Sequence, residues 1–471
     1  MPAPMTSSVS IPNRSAAEPR RYFLRTYGCQ MNERDSEAVA CLLEAQGLLP
    51  AASEEEADVL LYNTCSVRDQ AERKVLGKLG LLKRLAQRKP GLVIAVFGCM
   101  AQRLGKELAA AFPHVQLVVG TDQIHRLPEL LRAPAGSAAA TAQQVAVDRG
   151  TDGLEFMGLH HPGQTSAYIA IMRGCDQRCT YCIVPEVRGP EHSRSPADIV
   201  AETERLAAAG TREIFLLGQN VTAYGLAEAR RQPGYDRNAS PFGELLRAVA
   251  AVPGVARVRF TSPHPRHMNA AFVAAVAETP RVCDSFHIPM QSGADRILEL
   301  MHRGYTAAEY LDRVAALRQA RPAATFSTDI IVGFPGETEA EFDLTRAAME
   351  TAGFDNAFIF RYSPRPGTRA AAMPDDVPDA VKMARLKLLL DDVKRRAERH
   401  NRGYVGRTVE VLVEGVSARN AERWSGRTSC NKVAVFTPPP GCQPGTLLTL
   451  RITRTTAQTL FGAVTPEESG A

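Results

Sequence analysis

The sequence predicts an α/β protein in three sections. These are an N-terminal open parallel α/β sheet domain, a central partial (β/α)6 barrel and a C-terminal small antiparallel β-barrel. Three observations predict this. Short apolar runs alternate with helical periodicity from Arg21 to Leu131, and again from Ala167 to Arg361, as in parallel sheets with crossover helices. The Ala-, Gly-, Ser- and Gln-rich stretch Pro134 to Ala146 separates the two series without periodicity of its own. Beyond a charged helix, short strands broken by Gly and Pro run from Thr408 to Phe461.

In the first series, Tyr22–Thr26, Val59–Tyr62, Leu92–Phe97 and Val115–Val119 read as strands. Helices are expected at Asp35–Gln46, Arg68–Arg88 and Leu104–Ala111. The second series offers six strands: Tyr168–Met172, Glu213–Leu217, Val255–Phe260, Ser285–Ile288, Thr325–Val332 and Ala357–Arg361. Helices such as Pro196–Ala209, Phe242–Val252, Tyr310–Ala320 and Glu339–Thr351 separate them. Six βα units closing on one another place a site at the C-terminal ends of the strands. The last section holds Val409–Val413, Lys432–Phe436 and Leu447–Thr453. The boundaries follow: a disordered tail at 1–20, domains at 21–132, 161–397 and 398–467, and a linker at 133–160.

The 471 residues, 45% hydrophobic and 23% charged, are those of a globular protein of about three domains. Apolar runs such as Leu92–Phe97 fall far short of the ~18 residues a membrane helix needs, and the tail lacks the apolar core of a secretory signal. The expected setting is the cytoplasm. The net charge of +5 is mild, but Lys382–Arg399 holds seven basic and three acidic residues, and His400 to the end eight and five. This basic C-terminal quarter suits a phosphate backbone. Ten cysteines in such a chain argue for metal binding or catalysis rather than a disulfide framework. Four of them, Cys41, Cys283, Cys430 and Cys442, have no patterned context and read as incidental thiols.

The other six form two groups. Cys175, Cys179 and Cys182 lie within eight residues, directly after the first strand of the second series, so their loop lies at the expected barrel mouth. Thiolates are the ligands that iron–sulfur clusters select. A structural zinc site wants four ligands, and no fourth Cys or His stands at suitable local spacing. Three thiols on a four-iron cluster leave one iron open for a substrate. Cys-x3-Cys-x2-Cys after the first barrel strand, with Tyr181 before the last Cys, resembles the radical S-adenosylmethionine superfamily. The resemblance implies a 4Fe-4S cluster that binds and reductively cleaves S-adenosylmethionine, with Tyr181 flanking the adenine.

Cys29, Cys65 and Cys99 are far apart in sequence, yet each immediately follows an expected strand. In an open parallel sheet such positions converge at the carboxyl ends of the strands. The segments Gly28-Cys29-Gln30-Met31-Asn32, Asn63-Thr64-Cys65-Ser66-Val67-Arg68 and Gly98-Cys99-Met100-Ala101-Gln102 resemble the N-terminal domain of the radical methylthiotransferases. That family places an auxiliary 4Fe-4S cluster on the three cysteines, with the sulfur to be transferred on its open iron.

The remaining strand ends of the barrel carry polar groups: Gly218-Gln219-Asn220, Ser262-Pro263-His264-Pro265, Gln291-Ser292-Gly293 and Asp329. Asn220 and Gln291 suit a nucleoside sugar or a methionine carboxylate, while His264 and Arg194 suit a carboxylate or a phosphate. Loop caps and turn residues are the alternative for each alone. Gly426-Arg427-Thr428-Ser429-Cys430-Asn431-Lys432 resembles the TRAM-like RNA-binding barrel of the tRNA-directed methylthiotransferases, departing from it at Ala434-Val435, where an Asn is usual.

The whole pattern resembles the isopentenyladenosine branch of that family. It implies addition of a methylthio group to the adenine ring of isopentenyladenosine beside the anticodon. The implied cofactors are two 4Fe-4S clusters and two S-adenosylmethionine per turnover. The implied partners are the tRNA anticodon stem-loop, an electron donor such as flavodoxin or ferredoxin, and iron–sulfur assembly proteins, with no membrane. Sister branches act on threonylcarbamoyl-adenosine tRNA or on a ribosomal-protein aspartate. A non-catalytic iron–sulfur or zinc tRNA-binding protein is the alternative of another class.

Overall fold

The computed structural model describes residues 19–67, 69–132, 143–150 and 158–465. Most of the expected tail, much of the expected linker and Arg68 lie outside the described residues. The chain forms two compact units, Met1–His160 and His161–Ala471.

In the first unit the strands are β1 (Arg21–Thr26), β2 (Leu49–Pro50), β3 (Val59–Thr64), β4 (Val93–Gly98), β5 (Leu117–Val119) and β6 (Gln144–Ala146). All pair in parallel, in the order β2-β1-β3-β4-β5-β6. The helices are α1 (Gln30–Glu44), α2 (Asp69–Arg88) and α3 (Cys99–Ala111). Val59–Tyr62 of β3 and Val93–Phe97 of β4 are apolar on both faces because both faces are covered. Leu60, Tyr62, Ile94 and Val96 pack with Val75 and Leu79 of α2 and Met100 of α3. Val59, Leu61, Ala95 and Phe97 pack on the other face with Val39 and Leu43 of α1.

Three expectations change here. α1 begins at Gln30, not Asp35, because its polar first turns bury Asn32 and Arg34 through hydrogen bonds that a hydrophobic pattern cannot show. α3 begins at Cys99, and the kink at Gly105 (φ 41°) breaks the periodicity where the sequence placed its start. Gln144–Ala146, expected to be linker, is an edge strand paired with β5. Only three residues long, it leaves no periodic trace.

In the second unit β7 (Ser166–Ala170) is followed by the short antiparallel pair β8 (Met172–Arg173) and β9 (His192–Ser193). Then come β10 (Glu213–Leu217), β11 (Arg257–Phe260), β12 (Ser285–His287), β13 (Thr325–Val332) and β14 (Asn356–Arg361). β11-β10-β7 and β12-β13-β14 are two parallel half-barrels. Hydrogen bonds from Val258 N to Arg281 O (2.7 Å) and from Cys283 N to Val258 O (2.9 Å) join them into one six-stranded arc. Helices clothe the outside, two of them opened by capping boxes at Thr306/Glu309 and Thr338/Glu341. Along β13 Phe326, Ile330 and Val332 enter this helix-covered core, as does Ala357 of β14 with Leu389 and Val393 of the helix Asp379–Arg402. Asp329 and Ile331, with their register partners Phe358 and Phe360, therefore face the inside of the arc.

The last strands are β15 (Thr408–Ser417), β16 (Asn420–Thr428), β17 (Val433–Phe436), β18 (Leu447–Thr455) and β19 (Thr459–Val464). They close a barrel in the order β15-β16-β17-β19-β18 around Val411, Val413, Phe436, Leu450 and Leu460. The expected all-antiparallel pairing is corrected at one place: β17 and β19 run parallel. β16 and β19 were not expected, since charged and small residues interrupt their alternation.

This barrel is docked on the N-terminal ends of the arc's strands, opposite the mouth. Arg257, buried in β11, donates to Arg427 O (2.6 Å), and Arg259 donates to Thr428 O (2.8 Å), Ser429 O (2.9 Å) and Glu213 (2.6 Å). Thr325 Oγ1 donates to Cys430 O (2.8 Å) and Lys432 Nζ pairs with Asp355 (2.8 Å). The Gly426–Lys432 segment thus serves as the base plate between core and barrel. Removing the barrel would take away the carbonyl partners of Arg257 and Arg259 and open that face of the arc to water, while Arg259 would keep Glu213.

Candidate active site

The mouth of the arc is built on the loop after β8. Gly174 has φ +75°, and a side chain there would strike the carbonyl of Pro190, so only glycine lets the chain turn into the cysteine loop. Cys175 N donates to Gly189 O (3.2 Å) and Cys182 N to Cys179 O (3.1 Å). Thr180 anchors the loop centre to Met301 O (3.1 Å) and, through its hydroxyl, to Leu300 O (2.8 Å). Burial pushes the Cys175 thiol up to about 12 and the Cys182 thiol up to about 11. Such thiols become thiolates only when a metal replaces the proton.

Arg303, which sequence reasoning missed, lies against this loop. It is buried and donates to Cys179 Sγ and to the Tyr181 hydroxyl, both at 3.3 Å. Its Nε donates to Tyr305 Oη (2.9 Å), and its guanidinium lies 5.2 Å from the centre of that ring. The Tyr305 ring in turn meets His264 edge-on at 5.6 Å. The only available signal was His302-Arg303-Gly304-Tyr305, a turn with positive φ at His302 and Gly304.

The polar strand ends fall into two sets. Gln219 and Asn220 follow β10 and His264 follows β11. Gln219 Oε1, Asn220 Nδ2 and His264 Nε2 are buried with no hydrogen-bond partner among the described residues. Burial, then the neighbouring cation Arg303, lower His264 to about 2, so the ring is neutral. Its Nδ1 accepts from Arg266 N (3.3 Å), which leaves the proton on Nε2. One acceptor and two donors on adjacent strand ends await a polar ligand. S-adenosylmethionine, with its amino, carboxylate and ribose groups, fits that donor set, and three thiols beside it fit an iron–sulfur cluster. Gln291 holds a positive φ (73°) with its N–H on Asp329 O (2.8 Å), and Asp329 approaches His287 Nε2 (3.4 Å).

Two residues stand apart from that set. Gly218 contributes space, since a side chain there would press 2.5 Å from Met172 Cγ. Arg194 donates to Glu202 (2.6 Å) and to Ala170 O (2.9 Å). The sequence shows its charge but not this partner.

In the first unit the sheet register assembles the other cysteines. Thr64 stands opposite Gly98 across β3 and β4, so Cys65 and Cys99 leave neighbouring strand ends side by side. Asn63 stands opposite Thr26, and a side chain on Gly28 would lie 2.7 Å from Cys65 Cβ, which brings Cys29 to the same end. Cys29 precedes α1 and Cys99 opens α3. Two of the three thiols thus sit at helix N-termini, where negative charge is favoured. Buried amides brace the crevice: Asn32 Nδ2 donates to Tyr27 O (2.9 Å) and Thr64 O (3.1 Å), and Asn63 Nδ2 donates to Asn32 O (2.8 Å). Val67 N donates to Cys65 Sγ (3.3 Å).

A six-stranded parallel arc with a three-cysteine loop after its first strand and unsatisfied polar groups at the next two strand ends defines a radical S-adenosylmethionine enzyme. Residues 169–348 match the radical SAM superfamily, 402–465 the TRAM domain, and 21–120 the family described as "Uncharacterized protein family UPF0004". The fold resembles that of a radical S-adenosylmethionine methyltransferase, TsrM, from Kitasatospora setae, with TM-score 0.52 and 16% identity over 75% of each chain. A tRNA-2-methylthio-N(6)-dimethylallyladenosine synthase of Akkermansia muciniphila is 45% identical over 95% of this chain and 99% of its own length. That of Opitutus terrae is 43% identical over 94% and 97%. The chain belongs to the family of tRNA-2-methylthio-N(6)-dimethylallyladenosine synthases.

Proposed function

We propose that this chain methylthiolates the adenine ring of isopentenyladenosine beside the tRNA anticodon, with its two three-cysteine sites dividing the work. The observation that carries the division is that each trio lies at strand ends within its own unit, and that the second has Gln219 Oε1, Asn220 Nδ2 and His264 Nε2 unsatisfied at the neighbouring strand ends. Cys175, Cys179 and Cys182 would hold a 4Fe-4S cluster, and Gln219, Asn220 and His264 would orient S-adenosylmethionine on it. When bound there, the cluster supplies the electron that cleaves S-adenosylmethionine to methionine and a 5′-deoxyadenosyl radical, able to take hydrogen from an unactivated ring carbon. Cys29, Cys65 and Cys99 would hold a second 4Fe-4S cluster that carries the sulfur, and a second S-adenosylmethionine per turnover would supply its methyl group.

The chain's own residues bind and position. Tyr181, next to Cys182 and bonded by Arg303, would flank the adenine. Phe358 and Phe360 are 45% and 36% exposed on the inner face of the arc, and they offer apolar surface to the isopentenyl group. Exposed Arg407, Arg419, Arg423 and Arg451 of the last barrel offer contacts to tRNA phosphates. The low-potential electron comes from a flavodoxin or ferredoxin, and cluster loading requires iron–sulfur assembly proteins. A cytoplasmic setting goes with a tRNA substrate. No helix among the described residues is long and apolar enough to cross a membrane.

Nucleoside mass spectrometry of tRNA from a strain lacking this gene tests the reading. Isopentenyladenosine without its methylthio group should accumulate, and the wild-type gene should restore the product. Accumulation of unmodified threonylcarbamoyl-adenosine, or a ribosomal protein lacking its modification, would move the chain to a sister branch.

A further inference from the structure

Arg303 is not one of the cysteine ligands, nor does it belong to the unsatisfied polar set. Yet it is a buried cation 3.3 Å from the thiol of Cys179. Its other bonds go to Tyr305 Oη, Tyr181 Oη and Pro289 O (3.2 Å), and no carboxylate among the described residues pairs with it. Burying a guanidinium is costly unless an opposite charge meets it. The thiol side of the site is where negative charge arrives once a cluster is bound.

We propose that Arg303 is the fixed counter-charge of the Cys175/Cys179/Cys182 site, holding Cys179 in place and raising the reduction potential of the cluster bound there. The proposal rests on the cluster assignment above. A reduced cluster carries one negative charge more than an oxidised one, so a nearby buried cation favours the reduced form. An external one-electron donor supplies that electron, and Arg303 itself exchanges neither proton nor electron. A guanidinium stays charged at any working pH. Through Tyr305, which meets His264 edge-on, the same residue links the cysteine loop to the ligand-binding strand ends.

The test is an EPR-monitored redox titration of the reconstituted full-length chain with Cys29, Cys65 and Cys99 replaced by Ala, so that one signal remains. At the potential where this parent is half reduced, adding R303Q should lower the reduced-to-oxidised ratio about tenfold, a shift of about 59 mV for one electron. R303K keeps the charge but draws it back from Cys179, and should fall between the two. If R303Q folds but loses iron while R303K keeps it, positioning of Cys179 is supported. Should R303Q fail to fold, R303K alone decides: a negative shift supports the proposal, and an unmoved potential overturns it. An R303Q potential equal to the parent's, with only the melting temperature changed, likewise overturns it and leaves Arg303 a packing residue. A parent that takes up no iron would instead sink the cluster assignment.

Discussion

Replacing Cys175, Cys179 and Cys182 by Ala is expected to abolish release of 5′-deoxyadenosine from S-adenosylmethionine under reducing conditions. The loss should be complete rather than graded. Reductive cleavage has no route through the other groups at the mouth, since Gln219, Asn220 and the neutral His264 cannot supply an electron. The fold should survive, because the loop is anchored by backbone and Thr180 bonds that do not involve the thiols. Liquid chromatography of quenched reactions checks this. Residual 5′-deoxyadenosine near the wild-type level would place the cleavage elsewhere.

The second large effect concerns the substrate. tRNA from cells unable to prenylate adenosine should be methylthiolated up to roughly a thousandfold less efficiently than tRNA from wild-type cells. The isopentenyl group offers five carbons, each worth about 0.8 kcal/mol when buried. Their sum, about 4 kcal/mol, corresponds to about three decades in binding. Phe358 and Phe360 are exposed aromatic surface on the inner face of β14, where burial of this kind would be gained. Relative kcat/KM on the two tRNA pools measures the effect. Equal rates would show that the prenyl group goes unrecognised.

Much of this was legible in sequence because it is written in period and spacing. Glu213–Leu217 and Thr325–Val332 match their observed strands residue for residue, since each is a short run rich in β-branched, aliphatic and aromatic residues between helices. Cys29, Cys65 and Cys99 converge because each follows a strand of one parallel sheet, and register does the rest. What was missed depends on side-chain partners that period and spacing do not encode. Arg303 owes its place to Cys179, 124 residues away, and the commitment of Arg194 to Glu202 could not be read from its charge. The segment Gly426–Lys432 reads as part of an appended module, whereas Arg257 and Arg259 tie it into the base of the arc. β6 is too short to announce itself.

The most direct test of the account is the chain in which Cys29, Cys65 and Cys99 are replaced by Ala, assayed together for iron, 5′-deoxyadenosine and methylthiolated tRNA. After anaerobic reconstitution the wild-type chain should hold about eight irons and this variant about four, four at each three-thiol site. The variant should still cleave S-adenosylmethionine while forming no methylthiolated product. An iron content equal to wild type, or full product formation without these three thiols, would contradict the division of labour between the two sites.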